Sequence, residues 1–171
     1  MRKKRISYDK EKLKQVLHYI IHQCGHLENV GKTVLFKILY FSDFNYYELH
    51  EKPLTGESYR KITRGPAPTH FDSVAKELES AGKIRLEKRK YRGYPQQKFL
   101  CLAKPPMDLL STVEKETLDK AISLLSALTA SQVSALSHGD VPVKATKDGE
   151  IIDYELVFYR DPVFSVREYN D

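Results

Sequence analysis

The stretch from Glu51 to Pro68, EKPLTGESYRKITRGPAP, has a cluster of backbone-restricting residues at each end. Pro53 has no amide proton and cannot continue a helix, and the sequence Pro-Leu-Thr-Gly is typical of a tight turn. The prolines at the other end keep the residues before them out of the helical region. Tyr59–Ile62 lies between the two clusters and is predicted to be a short extended segment. Such a stretch either closes over a catalytic pocket or is a rigid connector that shapes a surface for another macromolecule.

The helix before this stretch is predicted to span about residues 32–50 and to be the central helix of the fold. Its apolar side chains cover about half of the circumference, so it packs on more than one side. This geometry places Asp43 among aromatic rings. A buried carboxylate needs hydrogen bonds or a cation, so Asp43 is predicted to have a partner elsewhere in the chain. Its role is either a structural strut or a general base, and the lack of a nucleophile or metal motif favours the strut.

Two other helices of the N-terminal half are indicated by the apolar period and by capping residues. Before the central helix, apolar residues from Leu13 to Cys24 repeat at the helical spacing. After the stretch, Thr69 with Asp72 three residues on resembles a capping box. This pattern predicts a third helix that stops at Gly82 and whose direction is set by the restricted stretch before it.

The C-terminal part is predicted to be helical as well. Ser111-Thr-Val-Glu114 and Thr129-Ala-Ser-Gln132 both have the capping-box pattern, so a helix starts at each. The first is predicted to run to about Ala127, and the second to end near Gly139. Residues 151–159 are too uniformly apolar for the period to decide between strand and helix, and we favour a short helix.

Between the two helical parts, the period changes from helical to alternating. Ile84 and Leu86 begin a strand, Tyr91–Pro95 turns it, and Lys98–Leu102 returns. A helix followed by a basic hairpin is similar to the winged-helix arrangement. We therefore predict a mainly α fold of the α+β class: a compact helical domain with a small antiparallel β-hairpin, winged-helix-like in part.

Length and composition predict one soluble domain. With 171 residues the chain can bury most of its apolar surface without metal or disulfides. Residues 1–8 are predicted to be a basic arm, and residues 9–171 a single domain. Cys24 and Cys101 lie in apolar patterns and are predicted to be reduced, which suits a cytoplasmic protein. The longest apolar run, Val34–Phe41, is interrupted by a lysine and is too short to span a bilayer, so no membrane partner is expected.

No motif for a metal, a cofactor or a catalytic nucleophile occurs in the sequence. There is no Gly-x-x-x-x-Gly-Lys phosphate loop, no His-Glu-x-x-His, no Gly-x-Ser-x-Gly and no paired-cysteine zinc spacing. His18, His22 and His26 are four residues apart, but the first two lie opposite the apolar stripe on a helical wheel. They are predicted to be solvated rather than metal ligands. We expect no cofactor and no enzymatic activity; the remaining enzymatic alternative is a hydrolase whose residues converge near Asp43.

Three short motifs occur in order along the chain, followed by a closing segment from Lys144 to Tyr154. The motifs are Lys37-Ile-Leu-Tyr-Phe-Ser-Asp43, Pro53-Leu-Thr-Gly-Glu-Ser-Tyr59 and Gly65-Pro66-Ala67-Pro68. In these motifs the chain resembles the Panacea domain family, also called the SocA-like antitoxin domain. The resemblance extends over roughly residues 12–160.

The resemblance implies an antitoxin that neutralises a partner toxin by direct protein–protein binding in a bacterial or phage toxin–antitoxin system. The toxin would be encoded by an adjacent gene, and its identity does not follow, because members of the family pair with toxins of unrelated fold. No motif indicates an oligomeric state. The positions that mark the family in this chain are Lys37, Tyr40, Asp43, Gly56, Gly65 and Pro66.

Tyrosines and arginines close to turns are the candidates for contact with the toxin, because these residue types are common in interface hot spots. They are Tyr59, Arg60, Arg64, Tyr91, Arg92 and Tyr94. The alternative is a winged-helix-like DNA-binding regulator that uses the basic hairpin 83–92 and the N-terminal arm. Nucleic acid is therefore a secondary candidate partner, and both roles could coexist in one molecule.

Overall fold

The computed structural model of the chain describes residues 6–170. The elements are α1 (Lys10–Cys24), α2 (Lys32–His50), β1 (Tyr59–Ile62), β2 (Gly65–Pro68), α3 (Phe71–Ser80), β3 (Ile84–Tyr91), β4 (Tyr94–Cys101), α4 (Thr112–Leu125), α5 (Ala130–Gly139), α6 (Val141–Lys144) and a 3₁₀ helix (Tyr154–Tyr159). The predicted fold class, mainly helical with a small antiparallel β component, is confirmed. Buried apolar side chains from α1 to the 3₁₀ helix form one continuous core, and Cys24 and Cys101 are free thiols.

Helix α2 lies at the centre of the fold, as predicted. Most of its side chains are buried, and it contacts α1, α4, α5, β2, β4 and the 3₁₀ helix. It ends at His50, and the next residue, Glu51, has a φ of 56°, in the left-handed region that residues with a side chain adopt rarely. Pro53, two residues further on, prevents any continuation of the helix.

The stretch 51–68 folds into a turn and then a hairpin. Strand β1, predicted as an extended segment, pairs antiparallel with β2 and places Ile62 opposite Gly65. On its other side, β1 forms backbone hydrogen bonds with residues 149–152. The pairing with β2 was not predicted, because prolines disfavour a strand within a sheet. They are tolerated here because β2 is an edge strand, where some amide donors have no partner.

Helix α3 has a different N-terminal contact from the one predicted. The residue before the helix is His70, not Thr69, and it has no side-chain cap. The carboxylate of Glu57 accepts a hydrogen bond from the His70 backbone N–H (2.9 Å) and lies 2.6 Å from its Nδ1. Thr69 Oγ1 donates to the same carboxylate at 3.2 Å. The predicted capping box from Thr69 to Asp72 is therefore wrong, because a carboxylate from the preceding loop makes these contacts instead.

Strands β3 and β4 form the predicted basic hairpin. Their pairing ends with Tyr91 opposite Tyr94. The two residues between them, Arg92 and Gly93, both have positive φ, as a type I′ turn requires. At the base of the hairpin, the Phe99 ring packs edge-on against an aromatic ring of α3, with 5.4 Å between ring centroids. The base is thus fixed to the helical body.

The second helical part begins where the sequence predicts. Ser111 and Thr129 each form a complete capping box with the residue three positions on. Helix α4 ends at Leu125, two residues before the predicted end, and α5 ends at Gly139 as predicted. In the segment 151–159, the favoured short helix is a 3₁₀ helix over the last six residues.

The N-terminal segment is in part attached to the folded body. Residues 1–5 of the predicted basic arm lie outside the described residues. Ile6 and Tyr8 pack against the core, and the Tyr8 ring stacks on His70 with 4.3 Å between ring centroids. The described part of the arm is therefore packed on the domain. Within residues 6–170, none of the helices has the length and apolar character needed to cross a membrane.

His18 is buried, contrary to the prediction that it is solvated. Its exposed fraction is 1%, and its Nε2 lies 2.7 Å from the backbone oxygen of Ala103. Burial lowers the pKa of His18, which favours the neutral ring. The helical wheel misplaced this side chain because the segment after β4 covers that side of α1. His22 and His26 are exposed, as predicted.

Candidate partner-binding site

Asp43 anchors the stretch 51–68 to α2. Its carboxylate is 1% exposed and accepts hydrogen bonds from the Thr55 backbone N–H, Thr55 Oγ1 and the Tyr59 hydroxyl, each at 2.6 Å. Burial raises the pKa of Asp43, and these hydrogen bonds act in the opposite direction. The predicted partner elsewhere in the chain is therefore confirmed, and it is a set of neutral donors rather than a cation. These hydrogen bonds connect α2 to the stretch 51–68, as a structural strut would.

Tyr59 is a core residue, which corrects the expectation that it faces a partner. It is fully buried, and its ring lies edge-on to Tyr40 and Phe44, with 5.8 Å between ring centroids in each case. Alternation along β1 turns this side chain inward and its neighbour Arg60 outward. Residue type alone favours Tyr59 as a contact residue, whereas the alternation along β1 places it in the core.

Gly56 and Gly65 both have positive φ, and at each of them the backbone lies close to another segment of the chain. Gly56 has a φ of +76°, and a Cβ there would lie 2.1 Å from the backbone oxygen of Ser7. Gly65 has a φ of +101°, and a Cβ there would lie 2.5 Å from Ser137 Oγ. Both positions therefore need glycine. Gly56 allows the N-terminal segment to pack on the stretch, and Gly65 allows β2 to pack on α5.

Lys37 is buried beneath β2. Its side chain is 0% exposed, and Nζ donates to the backbone oxygen of Pro66 at 3.1 Å. Burial lowers the pKa of Lys37 to about 7, with a further contribution from the charge of Arg64. The amine is therefore close to its titration midpoint at neutral pH. Lys37 and Pro66, two positions of the family motifs, thus hold β2 against α2.

Replacing Lys37 with methionine should reduce the rise in stability that the wild type shows between about pH 7 and pH 10. The folded-state pKa is depressed, so the unfolded chain binds more protons in this window and stability rises with pH, by up to about 1.4 kcal/mol per pH unit. Urea unfolding at several pH values measures the slope. Replacing the exposed Lys147 with methionine is the control and should keep the wild-type slope. Equal slopes in wild type and Lys37→Met would contradict the prediction.

A buried ion-pair cluster links α2 to the C-terminal segment. The Arg160 guanidinium donates to both oxygens of Asp140 (3.0 and 2.8 Å) and to Glu48 Oε1 (3.0 Å). All three side chains are fully buried or nearly so. The Tyr40 hydroxyl donates to Asp140 at 2.8 Å, which gives this family position a structural role. None of the three charged residues was singled out from the sequence, because each one alone has the pattern of an exposed charge.

The exposed face of the β1–β2 sheet carries two of the predicted contact residues. Arg60 and Ile62 are two positions apart and lie on one face, and Ile151 is opposite Arg60 on the neighbouring segment. Ile62 and Ile151 are 40% and 45% exposed. Arg64 is exposed in the adjoining turn. We call Arg60, Ile62, Arg64 and Ile151 the outer patch; the alternation of β1 could have identified Ile62 from sequence.

The other three predicted contact residues lie together at the tip of the β3–β4 hairpin. Tyr94 is 75% exposed, and Arg92 is exposed in the turn. The Arg92 guanidinium lies over the Tyr91 ring, 5.2 Å from its centroid. The six candidates therefore divide into a core residue, the outer patch and this tip, which belongs to a different hairpin.

An open groove of about 800 Å³ lies between residues 6–12 and the loop 51–55. Its lining contains lysines beside aspartate and glutamate side chains, so it has no single sign of charge. Asp43 does not line it, and its carboxylate oxygens are already bonded to three donors. Among residues 6–170, no group of three or more histidine, cysteine, aspartate or glutamate side chains could hold a metal ion. The arrangement around Asp43 gives no support to the hydrolase alternative.

The comparison with family models gives the class of this protein, an antitoxin-like domain, from residues that form most of the helical core and both hairpins. Residues 35–142 match the family described as antitoxin SocA-like, Panacea domain. The matched region runs from α2 to the start of α6 and includes all three motifs. This chain belongs to the SocA-like antitoxin family with a Panacea domain, which confirms the family seen in the sequence; the match ends before the closing segment from Lys144 to Tyr154. No match was found among curated proteins or among solved structures.

Proposed function

We propose that this protein neutralises a toxin by binding it directly, as the antitoxin of a bacterial or phage toxin–antitoxin pair. Membership of the SocA-like antitoxin family is the observation that carries the proposal. The toxin is a protein encoded by an adjacent gene. Direct binding needs no cofactor and no chemical step, so we assign no catalytic residue.

The outer patch is the surface that we assign to the toxin. It combines two arginines with two isoleucines whose exposed fractions are 40% and 45%. Arginine is enriched in binding hot spots, and apolar surface gains roughly 25 cal/mol per Å² when a partner removes it from water. A patch of this composition is suited to a specific protein contact.

Hydrogen bonds within and beneath the outer patch keep its shape fixed. The hydroxyl of Tyr59, on the inner side of β1, donates a hydrogen bond to Asp43 of the central helix. Arg60 donates through its guanidinium to the backbone oxygen of Gly149, and Lys61 Nζ donates to the Thr146 backbone oxygen at 2.9 Å. A surface that is already ordered loses less conformational entropy on binding. This supports the second interpretation of the stretch 51–68, a rigid connector that shapes a surface.

Co-expression with the products of adjacent genes tests direct neutralisation. We expect one neighbour to arrest growth when it is expressed alone, and growth to recover when this chain is expressed with it. The two proteins should then purify together as a stable complex. The proposal fails if no neighbour is toxic alone, or if growth recovers without a complex.

Replacing Ile62 with aspartate should weaken the complex by at least about 30-fold and abolish growth rescue, because it buries a charge in the centre of the assigned interface. Titration calorimetry with the purified toxin measures the affinity, and a thermal melt checks that the variant folds. Leu124→Asp is the matched control, since Leu124 is a 68% exposed apolar residue on α4. If Ile62→Asp binds as tightly as Leu124→Asp, the outer patch is not the toxin surface.

A further inference from the structure

Positive charge is concentrated in the β3–β4 hairpin. Residues 83–98 contain seven lysines and arginines and one acidic residue, Glu87. The rest of the chain has 21 basic and 22 acidic residues. Residues 83–98 therefore have a net charge of +6 against −1 for the rest of the chain, and a molecule with negative charge is the partner that this hairpin fits.

Several of these cations are free to contact a ligand. Glu87 pairs with Arg85 at 2.8 Å and with Arg89 at 2.7 Å, and these two arginines are partly neutralised. Lys98 is buried and donates to backbone oxygens of the α1–α2 loop. The four that remain are exposed and form no ion pair within the described residues 6–170. They are Lys83, Lys88, Lys90 and Arg92.

The outer half of the hairpin is a two-stranded ribbon that is open to solvent. From Lys88 to Pro95 every residue except the half-buried Tyr91 is exposed. Lys88 and Lys90 lie on one face, about 6.6 Å apart along the strand, and Arg89 lies on the other. A two-stranded ribbon is narrow enough to enter the major groove of duplex DNA. Lys88, Lys90 and Arg92 would then lie close to the phosphates that flank the groove.

We propose that the β3–β4 hairpin binds the phosphate backbone of duplex DNA. The residue types favour this partner over an acidic protein surface, because three of the four free cations are lysines and lysine is depleted in protein–protein interfaces. Lysine is, in contrast, a common phosphate contact on DNA. This proposal is independent of toxin neutralisation and assigns the hairpin a second partner.

Helix α3 does not act as a recognition helix in this proposal. Its exposed side chains include Asp72 and Glu79, and the side chain of Glu77 is 40% exposed, whereas Lys76 is the one lysine that α3 contributes. An acidic helix would be repelled by the phosphates that flank the major groove. The hairpin therefore binds without base readout from α3, and its affinity should depend strongly on salt and weakly on sequence.

The lysines of β3 have an alternative role, which is to prevent aggregation through the edge of the hairpin. Charged side chains on an edge strand prevent pairing with strands of other molecules. If that is their sole use, the wild type has no affinity for DNA, and replacing Lys88 and Lys90 makes the protein aggregate.

A fluorescence anisotropy titration of a labelled random-sequence 20-base-pair duplex at several salt concentrations tests the proposal. With four phosphate contacts, the slope of log K against log salt should be about −3.6, so affinity should fall roughly 150-fold between about 50 and 200 mM salt. In the triple variant Lys88→Ala, Lys90→Ala, Arg92→Ala the slope should change to about −0.9, since each lost contact removes about one unit.

The matched control is the triple variant Lys52→Ala, Lys120→Ala, Lys147→Ala, which removes the same charge from exposed positions outside the hairpin. It should bind the duplex like the wild type, and thermal melts should show that both triple variants are folded. The proposal is overturned if the wild type does not bind, if the two triple variants lose equal affinity, or if alanines at residues 2–5 abolish binding while the hairpin variant binds normally. It is also overturned if the hairpin variant binds the duplex normally and loses the toxin instead.

Discussion

Replacing Arg160 with alanine should lower the free energy of unfolding by about 3 to 5 kcal/mol, because it leaves two buried carboxylates without their cation. In the wild type, the guanidinium donates to both oxygens of Asp140 in a bidentate ion pair and to one oxygen of Glu48. The side chains of all three residues in these ion pairs are 0% exposed, so water cannot replace the lost donors without opening the structure.

Urea unfolding followed by circular dichroism measures this loss. The control is Lys144→Ala, which breaks an ion pair of 3.6 Å with Asp161 whose two side chains are each about half exposed. That change should cost less than about 1 kcal/mol, because exposed pairs are screened by solvent. If Arg160→Ala costs no more than Lys144→Ala, the buried cluster does not hold the C-terminal segment in place.

The position of Arg160 in the chain explains why the effect should be large. It directly follows the 3₁₀ helix and connects it to α2 through Glu48 and to the end of α5 through Asp140. Glu48 also accepts hydrogen bonds from Ser165 Oγ (2.5 Å) and from the Val166 backbone N–H (3.1 Å). Loss of the guanidinium should therefore loosen the contact between the C-terminal residues and the central helix as one unit.

The helices could be predicted because their signals are local. The capping boxes at Ser111 and Thr129 act within three residues, and the apolar period of α2 is visible over its own length. The predicted cap at Thr69 is wrong because the carboxylate of Glu57, twelve residues earlier in the chain, makes the contacts at the start of α3 instead. Sequence position alone did not indicate that this carboxylate would reach the start of α3.

The buried polar groups could not be predicted, because their partners are distant in sequence. Arg160 and Glu48 are 112 positions apart, and Lys37 donates to a backbone oxygen 29 positions away. Every residue has a backbone oxygen, so residue type does not indicate which of these oxygens will accept a hydrogen bond. Glu48 and Asp140 looked like ordinary surface charges for the same reason, since burial of a charge depends on a partner that only the folded chain supplies.

The surface that we propose for the toxin can be identified only in part from the sequence. Residue type pointed to Arg60 and Arg64, which are exposed, but also to Tyr59, which is buried. The alternation of β1 would have separated inner from outer residues and added Ile62. Ile151 could not have been found in this way, because its place beside β1 depends on a pairing between segments about 90 residues apart.

Replacing Asp43 with alanine should lower the free energy of unfolding by at least about 3 kcal/mol, because it leaves three buried donors without an acceptor. Two of these donors belong to Thr55 and one to Tyr59, so the change also releases the stretch 51–68 from α2. Tyr59→Phe is the graded comparison: it removes one donor and should cost about 1 kcal/mol. Urea unfolding of both variants measures the two changes in the free energy of unfolding. If Asp43→Ala destabilises the protein no more than Tyr59→Phe does, Asp43 does not have the proposed role of a structural strut.

The titration of Asp43 gives this prediction a second readout. Burial raises the pKa of the folded-state carboxyl, so the folded chain holds the proton more tightly than the unfolded chain. The stability contributed by this group is therefore present below its unfolded-state pKa, about 3.9, and is lost as pH rises through the folded-state pKa. Asp43→Asn cannot titrate, so it should gain stability relative to the wild type as pH rises from about 4 towards neutrality. A constant difference between the two proteins over this range would show that Asp43 has no raised pKa, and that it is held in the core by hydrogen bonds strong enough to offset its burial.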